Sequence, residues 1–224
     1  MRRWDLLGQL LACVLCTSAV QAQSQKLSFP RRGETPEVFV PAGWSSESSL
    51  AGDLDADGVE DLVQVLLQNE RPEGGDRERA LVILLRRGDR FVLGGSNSGL
   101  LTCFECAGVK GGTGAPDLEI KRGVLLVSQM GGSRQFSITL DRFRWSRARQ
   151  RFELIGADVS YHDALTGESA ETSCNLLTGE CIETTTPAQV DDEGNPRERP
   201  PKTRHWKTGK KPLQPLERVR AAQD

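Results

Sequence analysis

The chain has 224 residues, 37% of them hydrophobic and 27% charged, which excludes wholesale disorder and fits one globular domain with tails. Its 29 basic and 31 acidic side chains exclude a globally basic nucleic-acid binder, and two His leave little room for imidazole chemistry. With 23 Gly, 11 Pro and 5% aromatic residues, the composition describes many turns around a modest aliphatic core rather than a helical bundle.

Residues 1–22 read as a secretory signal. Arg2 and Arg3 precede an apolar stretch over residues 6–20, and Ala19-Val20-Gln21-Ala22 offers small side chains for cleavage after Ala22. That stretch is shorter than the ~18–20 apolar residues that span a bilayer, and no later segment reaches that length. The expectation is an exported chain, periplasmic or extracellular, with no transmembrane span once mature. The rival reading is a lipobox at Leu10-Leu11-Ala12-Cys13, which puts a lipid anchor on Cys13.

Residues 23–37 are polar with isolated apolar side chains and read as a flexible leader. A β domain is expected over residues 38–186, beginning with an extended piece at Val38, Phe39 and Val40 before Pro41. Residues 62–67 (Leu-Val-Gln-Val-Leu-Leu) and 80–85 (Ala-Leu-Val-Ile-Leu-Leu) are short apolar runs whose length and valines favour buried strands. Phe91, Val92 and Leu93 pair back across the Arg86-Arg87-Gly88-Asp89 turn. The best candidate for a helical turn lies at residues 100–106. Leu118-Glu119-Ile120 and residues 124–127 flank Lys121-Arg122-Gly123 as a hairpin, with Gly123 where positive φ is needed. Phe136, Ile138 and Leu140 alternate with polar residues, while Phe143 and Trp145 fall on the opposite parity, which predicts a bulge between them. Phe152 and Leu154 mark a further strand. Six to nine short strands with close connections and no βαβ rhythm predict a mainly β fold, a single antiparallel meander.

Beyond it, residues 187–201 are Pro-, Gly- and charge-rich and read as a mobile link. Residues 202–219 form a basic segment, with Trp206, Leu213, Leu216 and Val219 apolar enough to dock, and residues 220–224 form a tail. Nine basic side chains between Arg197 and Arg220 face only Glu198 and Glu217, whereas residues 23–196 carry 18 basic and 27 acidic groups. The favoured reading folds the basic end onto the acidic body; the alternative is contact of Arg197 to Arg220 with an anionic envelope surface.

The most informative stretch is Asp53-Leu54-Asp55-Ala56-Asp57-Gly58-Val59-Glu60-Asp61, a D-x-D-x-D-G-x-x-D pattern. Asp53, Asp55, Asp57 and Asp61 with the Val59 carbonyl supply five hard oxygen donors, Gly58 permits the sharp turn, and water or a bidentate Asp61 completes the six to eight that Ca²⁺ accepts. Four aspartates in one loop repel one another unless a cation bridges them. An EF-hand requires a Glu at the twelfth position, which here is Gln64, so the ion loop is expected between strands instead.

Residues 52–62, with Trp44 before and Val63 and Val65 after, resemble the FG-GAP or VCBS calcium loop of integrin-type propeller blades. That resemblance implies Ca²⁺ held between adjacent strands by Asp53, Asp55, Asp57, Asp61 and the Val59 carbonyl. A propeller repeats its blade, typically four to eight times, and one loop in 224 residues excludes a full one. The rest of the chain resembles small secreted bacterial proteins that carry one such loop. The resemblance rests on residues 123–126, Arg151-Phe152-Glu153-Leu154-Ile155-Gly156, Thr166-Gly167-Glu168, Asn175-Leu176-Leu177-Thr178-Gly179 and Lys211-Pro212-Leu213 with Leu216-Glu217, and it brings no enzymatic activity.

Cys13 and Cys16 leave with the signal, so Cys103, Cys106, Cys174 and Cys181 remain, an even number that suggests disulfides in an exported chain. The turn at Thr178-Gly179 favours Cys174 with Cys181, leaving Cys103 with Cys106; cross-pairing is the alternative. Cys103-Phe104-Glu105-Cys106 also admits a zinc or redox reading. No G-x-S-x-G, H-E-x-x-H or phosphate loop occurs, and His162 reads as a surface turn residue. The expected function is therefore a secreted, non-catalytic calcium-binding β protein. The alternative is an envelope-associated hydrolase or thiol-redox protein working through surface carboxylates or Cys103 and Cys106.

Overall fold

A computed structural model describes residues 27–191, 194–195, 197 and 199–221; the signal reading, the lipobox at Cys13 and part of residues 187–201 lie outside them. The fold is mainly β, 51% strand and 6% helix, in two antiparallel sheets. The first holds β1 (Arg32–Gly33), β2 (Trp44–Gly52), β3 (Asp61–Gln68), β4 (Arg79–Arg87) and β5 (Arg90–Asn97) in the order β1-β5-β4-β3-β2. The second is a meander of β6 (Asp117–Lys121), β7 (Val124–Gly132), β8 (Gln135–Ser146), β9 (Arg151–Asp163), β10 (Ser169–Asn175), β11 (Glu180–Thr186) and β12 (Lys202–Lys207). The meander expectation thus divides between two packed sheets, because one long sheet leaves its apolar face in water.

The continuous apolar runs of β3 and β4 have a simple cause: at these two strands both faces of the first sheet are buried. Val63, Val65, Leu81, Ile83 and Leu85 point toward the second sheet and pack with Leu125, Val127, Phe143, Phe152 and Leu154. Their alternates Leu66, Ala80, Val82 and Leu84 pack on the other side with Phe39 and Phe91, against Leu27, Phe29, Val40 and Trp44. The segment expected as a flexible leader is therefore a cover from Leu27 onward. It is pinned by β1 on β5, with Arg32 opposite Val92. The extended piece expected at Val38, Phe39 and Val40 is instead a 3₁₀ turn over Pro36–Phe39, which Pro36 starts at a position tolerant of its missing N–H and which drops Phe39 into the core at 0% exposure.

Two other local expectations shift. The helical turn lies at α1 (Gly108–Gly111) rather than at residues 100–106, because Leu100 and Leu101 are core anchors and Glu105 takes φ 70°, which no helix accommodates. The irregularity between Arg142 and Phe143 is present, but β9 carries the extra residue. Arg142 faces Gly156 and Phe143 faces Leu154, so Ile155 is skipped, and β8 keeps its parity with Phe143 inward and Ile138 outward.

Residues 214–221 close the sandwich beside β5 and β9. Leu154 N–H donates to the Gln214 carbonyl and Ala221 N–H to that of Gly99, and the buried Asn97 amide donates to the carbonyls of Leu216 and Val219. Leu216 is 0% exposed and Val219 5%. A Cβ at Gly95 would stand 3.0 Å from the Leu216 side chain, so the absence of a side chain there is what admits the plug. Upstream, β12 joins β11, where Arg204 pairs with Glu183 and Lys207 with Glu180, so two of the basic side chains in this segment meet acidic partners. No helix is long and apolar enough to cross a membrane among the described residues.

Leu216→Ala is expected to lower stability by about 2–5 kcal/mol, the cost of a buried Leu truncation, read as a lower urea midpoint at unchanged slope. A loss under about 0.5 kcal/mol, the surface level, would show that the C-terminal plug is not docked in solution.

Candidate metal centre

The Asp loop joins β2 to β3 and leaves the core through Asp61, the first residue of β3 and the cross-strand partner of Gly52. Ala56 at φ 59° and Gly58 at φ 85° fold it tightly; Gly58 makes the sharp turn expected of it, and Ala56 is a second left-handed position that no glycine marks. Asp53 Oδ1 and Oδ2 accept the N–H groups of Asp57 (3.2 Å) and Gly58 (3.0 Å), and Asp57 Oδ1 accepts that of Val59 (2.9 Å). The carboxylates that the loop needs as donors are thus oriented by the loop's own backbone.

Asp53, Asp55 and Asp61 each bring an oxygen within 4.8 Å of the others. Asp57 stands outside this cluster, engaged with Val59 and Arg87, and Val59 is an exposed loop residue. Asp61 is 1% exposed and accepts the N–H of Leu54 at 2.9 Å and of Arg86 at 2.8 Å, so it also ties the loop to β4. Burial pushes its carboxyl above the ordinary range, against those two N–H groups and with the nearby charges of Asp55 and Asp57. Asp55 is 8% exposed, and its Oδ1 is buried and accepts no hydrogen bond. A buried carboxylate oxygen with no donor is costly, and only a cation or a donor from outside the described residues relieves it.

Two arginines from other elements complete the surroundings. Arg147, in the turn after β8, donates to the Asp55 carbonyl at 2.8 Å and to that of Ala56 at 2.7 Å. Arg87, at the end of β4, donates to both Asp55 and Asp57, the latter at 2.9 Å. Neither was singled out in the sequence. Their positions 32 and 92 residues downstream of Asp55 become meaningful only once the sheets pack. The donor set of the cluster is carboxylate oxygen throughout, with no His or Cys, which selects a hard divalent cation over zinc or copper.

The cysteines pair Cys103 with Cys106 and Cys174 with Cys181. The second bridge joins directly opposed residues of β10 and β11. At the first, Cys106 Sγ lies 3.4 Å from Asp76 Oδ2, and Asp76 with both sulfurs forms the second ligand-bearing group among the described residues. His162 is not in a turn: it lies in β9, its ring stacked on Phe136 with centroids 4.9 Å apart and Nε2 at 3.0 Å from Ser160 Oγ.

One titratable group escaped the sequence altogether. Asp141 faces Val127 on β7 and Ala157 on β9, and burial, only partly offset by Arg142 and reinforced by Asp158, raises its carboxyl to about 6. No motif marks it, because register alone sets its neighbours.

Comparison with protein-family models, with curated proteins and with solved structures finds no match to this chain. The fold class and the acidic cluster are therefore all that the site rests on: a two-sheet antiparallel β protein with a carboxylate group able to hold a metal ion.

Because Asp141 binds its proton more tightly folded than unfolded, its contribution runs against stability as pH rises between about 4 and 6. Asp141→Asn is expected to raise stability at pH 7 by up to about 3 kcal/mol and to flatten the pH dependence across that window, measured by urea unfolding at several pH values. Equal midpoints for both proteins at pH 4 and at pH 7 would remove Asp141 as the source.

Proposed function

We propose that this is an exported, non-catalytic binding protein whose Asp53–Asp61 loop holds Ca²⁺ and is stiffened by it. The observation that carries this reading is the convergence of Asp53, Asp55 and Asp61 within 4.8 Å together with the buried, partnerless Oδ1 of Asp55. Ca²⁺ suits the site better than Mg²⁺: Mg²⁺ demands a tight octahedron and keeps its water, whereas Ca²⁺ accepts an irregular, carboxylate-rich shell. Asp57, which accepts a hydrogen bond from Arg87, and the Val59 carbonyl are the further donors of the proposed shell. Two disulfides suit an oxidising compartment and agree with a secretory signal over residues 1–22.

Arg87 gives the loop an internal counter-charge. Its side chain is 41% exposed, so it can turn to solvent, and a divalent cation competes with it for Asp55 and Asp57. Ion binding and the Arg87 contacts are then alternatives that satisfy the same carboxylates.

Calorimetric melting of the full mature chain tests the metal. At tenfold excess over the dissociation constant, Ca²⁺ is expected to add about 1.4 kcal/mol and to raise Tm by about 3–6 °C over a chelator control, with Asp55→Asn abolishing the shift. An identical Tm with Ca²⁺ and with chelator overturns the reading. Arg87→Gln separates competition from support: it is expected to tighten Ca²⁺ binding while lowering metal-free stability, both measured by titration calorimetry and melting. Weaker binding in this variant would mean that Arg87 positions the carboxylates rather than opposing the ion.

A further inference from the structure

The core face of the second sheet continues past the cover that the first sheet provides, and its chemistry changes there. Along β7 the inward positions run Leu125, Val127, Gln129, Gly131, from fully buried aliphatic to bare backbone. Register places Gly131, Ser137, Tyr161, Ala170, Thr185 and Lys202 directly opposite one another, one from each strand from β7 to β12. At ~4.8 Å per strand this transverse row is about 24 Å long. It runs along a groove of about 910 Å³, within the ~300–1,000 Å³ typical of ligand clefts.

The row has a distinct composition. Gly131 and Ala170 keep its floor low. Tyr161, the single Tyr of the chain, stands 53% exposed beside them, and Ser137 and Thr185 present hydroxyls. Charge is sparse: Asp163, at the groove end, is already held by Arg134 and by the N–H groups of Leu165 and Thr166, which leaves Glu168 and Lys202 as one charge of each sign among the lining residues. A polyanion needs clustered cations, and a wholly apolar ligand, though Phe136 and Pro187 also line the groove, would leave the polar groups of Ser137, Thr185 and Lys202 without partners. An extended peptide that adds a strand needs a sheet edge, not a face.

We propose that this groove binds a neutral oligosaccharide, laid across the strands with one sugar ring stacked on Tyr161 and its hydroxyls bonded to Ser137, Thr185 and Lys202. A ring face of C–H groups matches the aromatic ring of the half-exposed Tyr161, and the ligand's many hydroxyls match the Ser137 and Thr185 hydroxyls and the Lys202 ammonium. The site is independent of the proposed ion. The Asp loop abuts Gly123 at one end of β7, and the row crosses Gly131 near the other, about 27 Å away at ~3.4 Å per residue.

Titration calorimetry of the full mature chain is the test, with three hexasaccharide probes, β-1,4-linked glucose, β-1,4-linked N-acetylglucosamine and α-1,4-linked glucose, and polyphosphate as the anionic control. Binding of at least one sugar is expected, unchanged by chelator, weakened about tenfold by Tyr161→Ala and largely retained by Tyr161→Phe, with unaltered Tm showing that both variants fold. The proposal is overturned if none of the three sugars binds, if only polyphosphate binds, or if Tyr161→Ala binds sugar as tightly as the parent. Loss of sugar binding in chelator would also overturn it as stated, while leaving the Ca²⁺ reading intact.

Discussion

β3 and β4 carry aliphatic side chains on both of their faces, and an antiparallel sheet built on such strands has to be covered twice. Val63, Val65, Leu81, Ile83 and Leu85 require one cover, and Leu66, Ala80, Val82 and Leu84 another. Burying each Val, Leu or Ile stabilises by roughly 1.5–3 kcal/mol, so leaving either face open would cost an amount comparable to a typical domain's whole margin of about 5–15 kcal/mol. The second sheet takes one face. The other is closed by residues 27–44, with Phe39 fully buried there. The remaining gap, between β5 and β9, is filled by Leu216 and Val219 from the far end of the chain. Residues 27–44 and 214–221 are thus structural parts of one core.

The same constraint fixes the Asp loop. Because β3 enters the core at once, its first residue, Asp61, is carried inside with it, and a carboxylate at 1% exposure is expensive. Its two hydrogen bonds from Leu54 and Arg86 N–H offset that cost and lock the loop to β4. Asp55 is drawn into the same cluster with one oxygen unsatisfied, while Arg87 and Arg147 reach in from other elements. The outcome is a loop whose shape is held by backbone and arginine contacts, and whose converged charge is then available to a cation.

Elsewhere the second sheet needs less cover than it has surface. Seven strands face five, and the excess face ends in glycine, hydroxyls, one Tyr and one Lys instead of Leu and Val. A face that is never to be covered is expected to be polar, so hydroxyls alone say little; the cross-strand alignment of the small floor with one exposed aromatic is what distinguishes this region from ordinary solvated sheet.

Local chemistry was legible in the sequence wherever it depends on neighbours along the chain. Residues 62–67 and 80–85 declared themselves as buried strands by length and valine content, Lys121-Arg122-Gly123 as a hairpin turn, and the D-x-D-x-D-G-x-x-D spacing as a loop that gathers carboxylates. The cover formed by Leu27, Phe29 and Phe39, the division into two sheets, the Arg87 and Arg147 contacts, the environment of Asp141 and the row through Tyr161 were not legible. Each depends on which strands pair, in which register, and on which residues distant in sequence meet across the core. Periodicity and turn chemistry act over a few residues and are written in the sequence itself; burial and cross-strand opposition arise only when apolar faces find one another, and that pairing is decided by the tertiary structure.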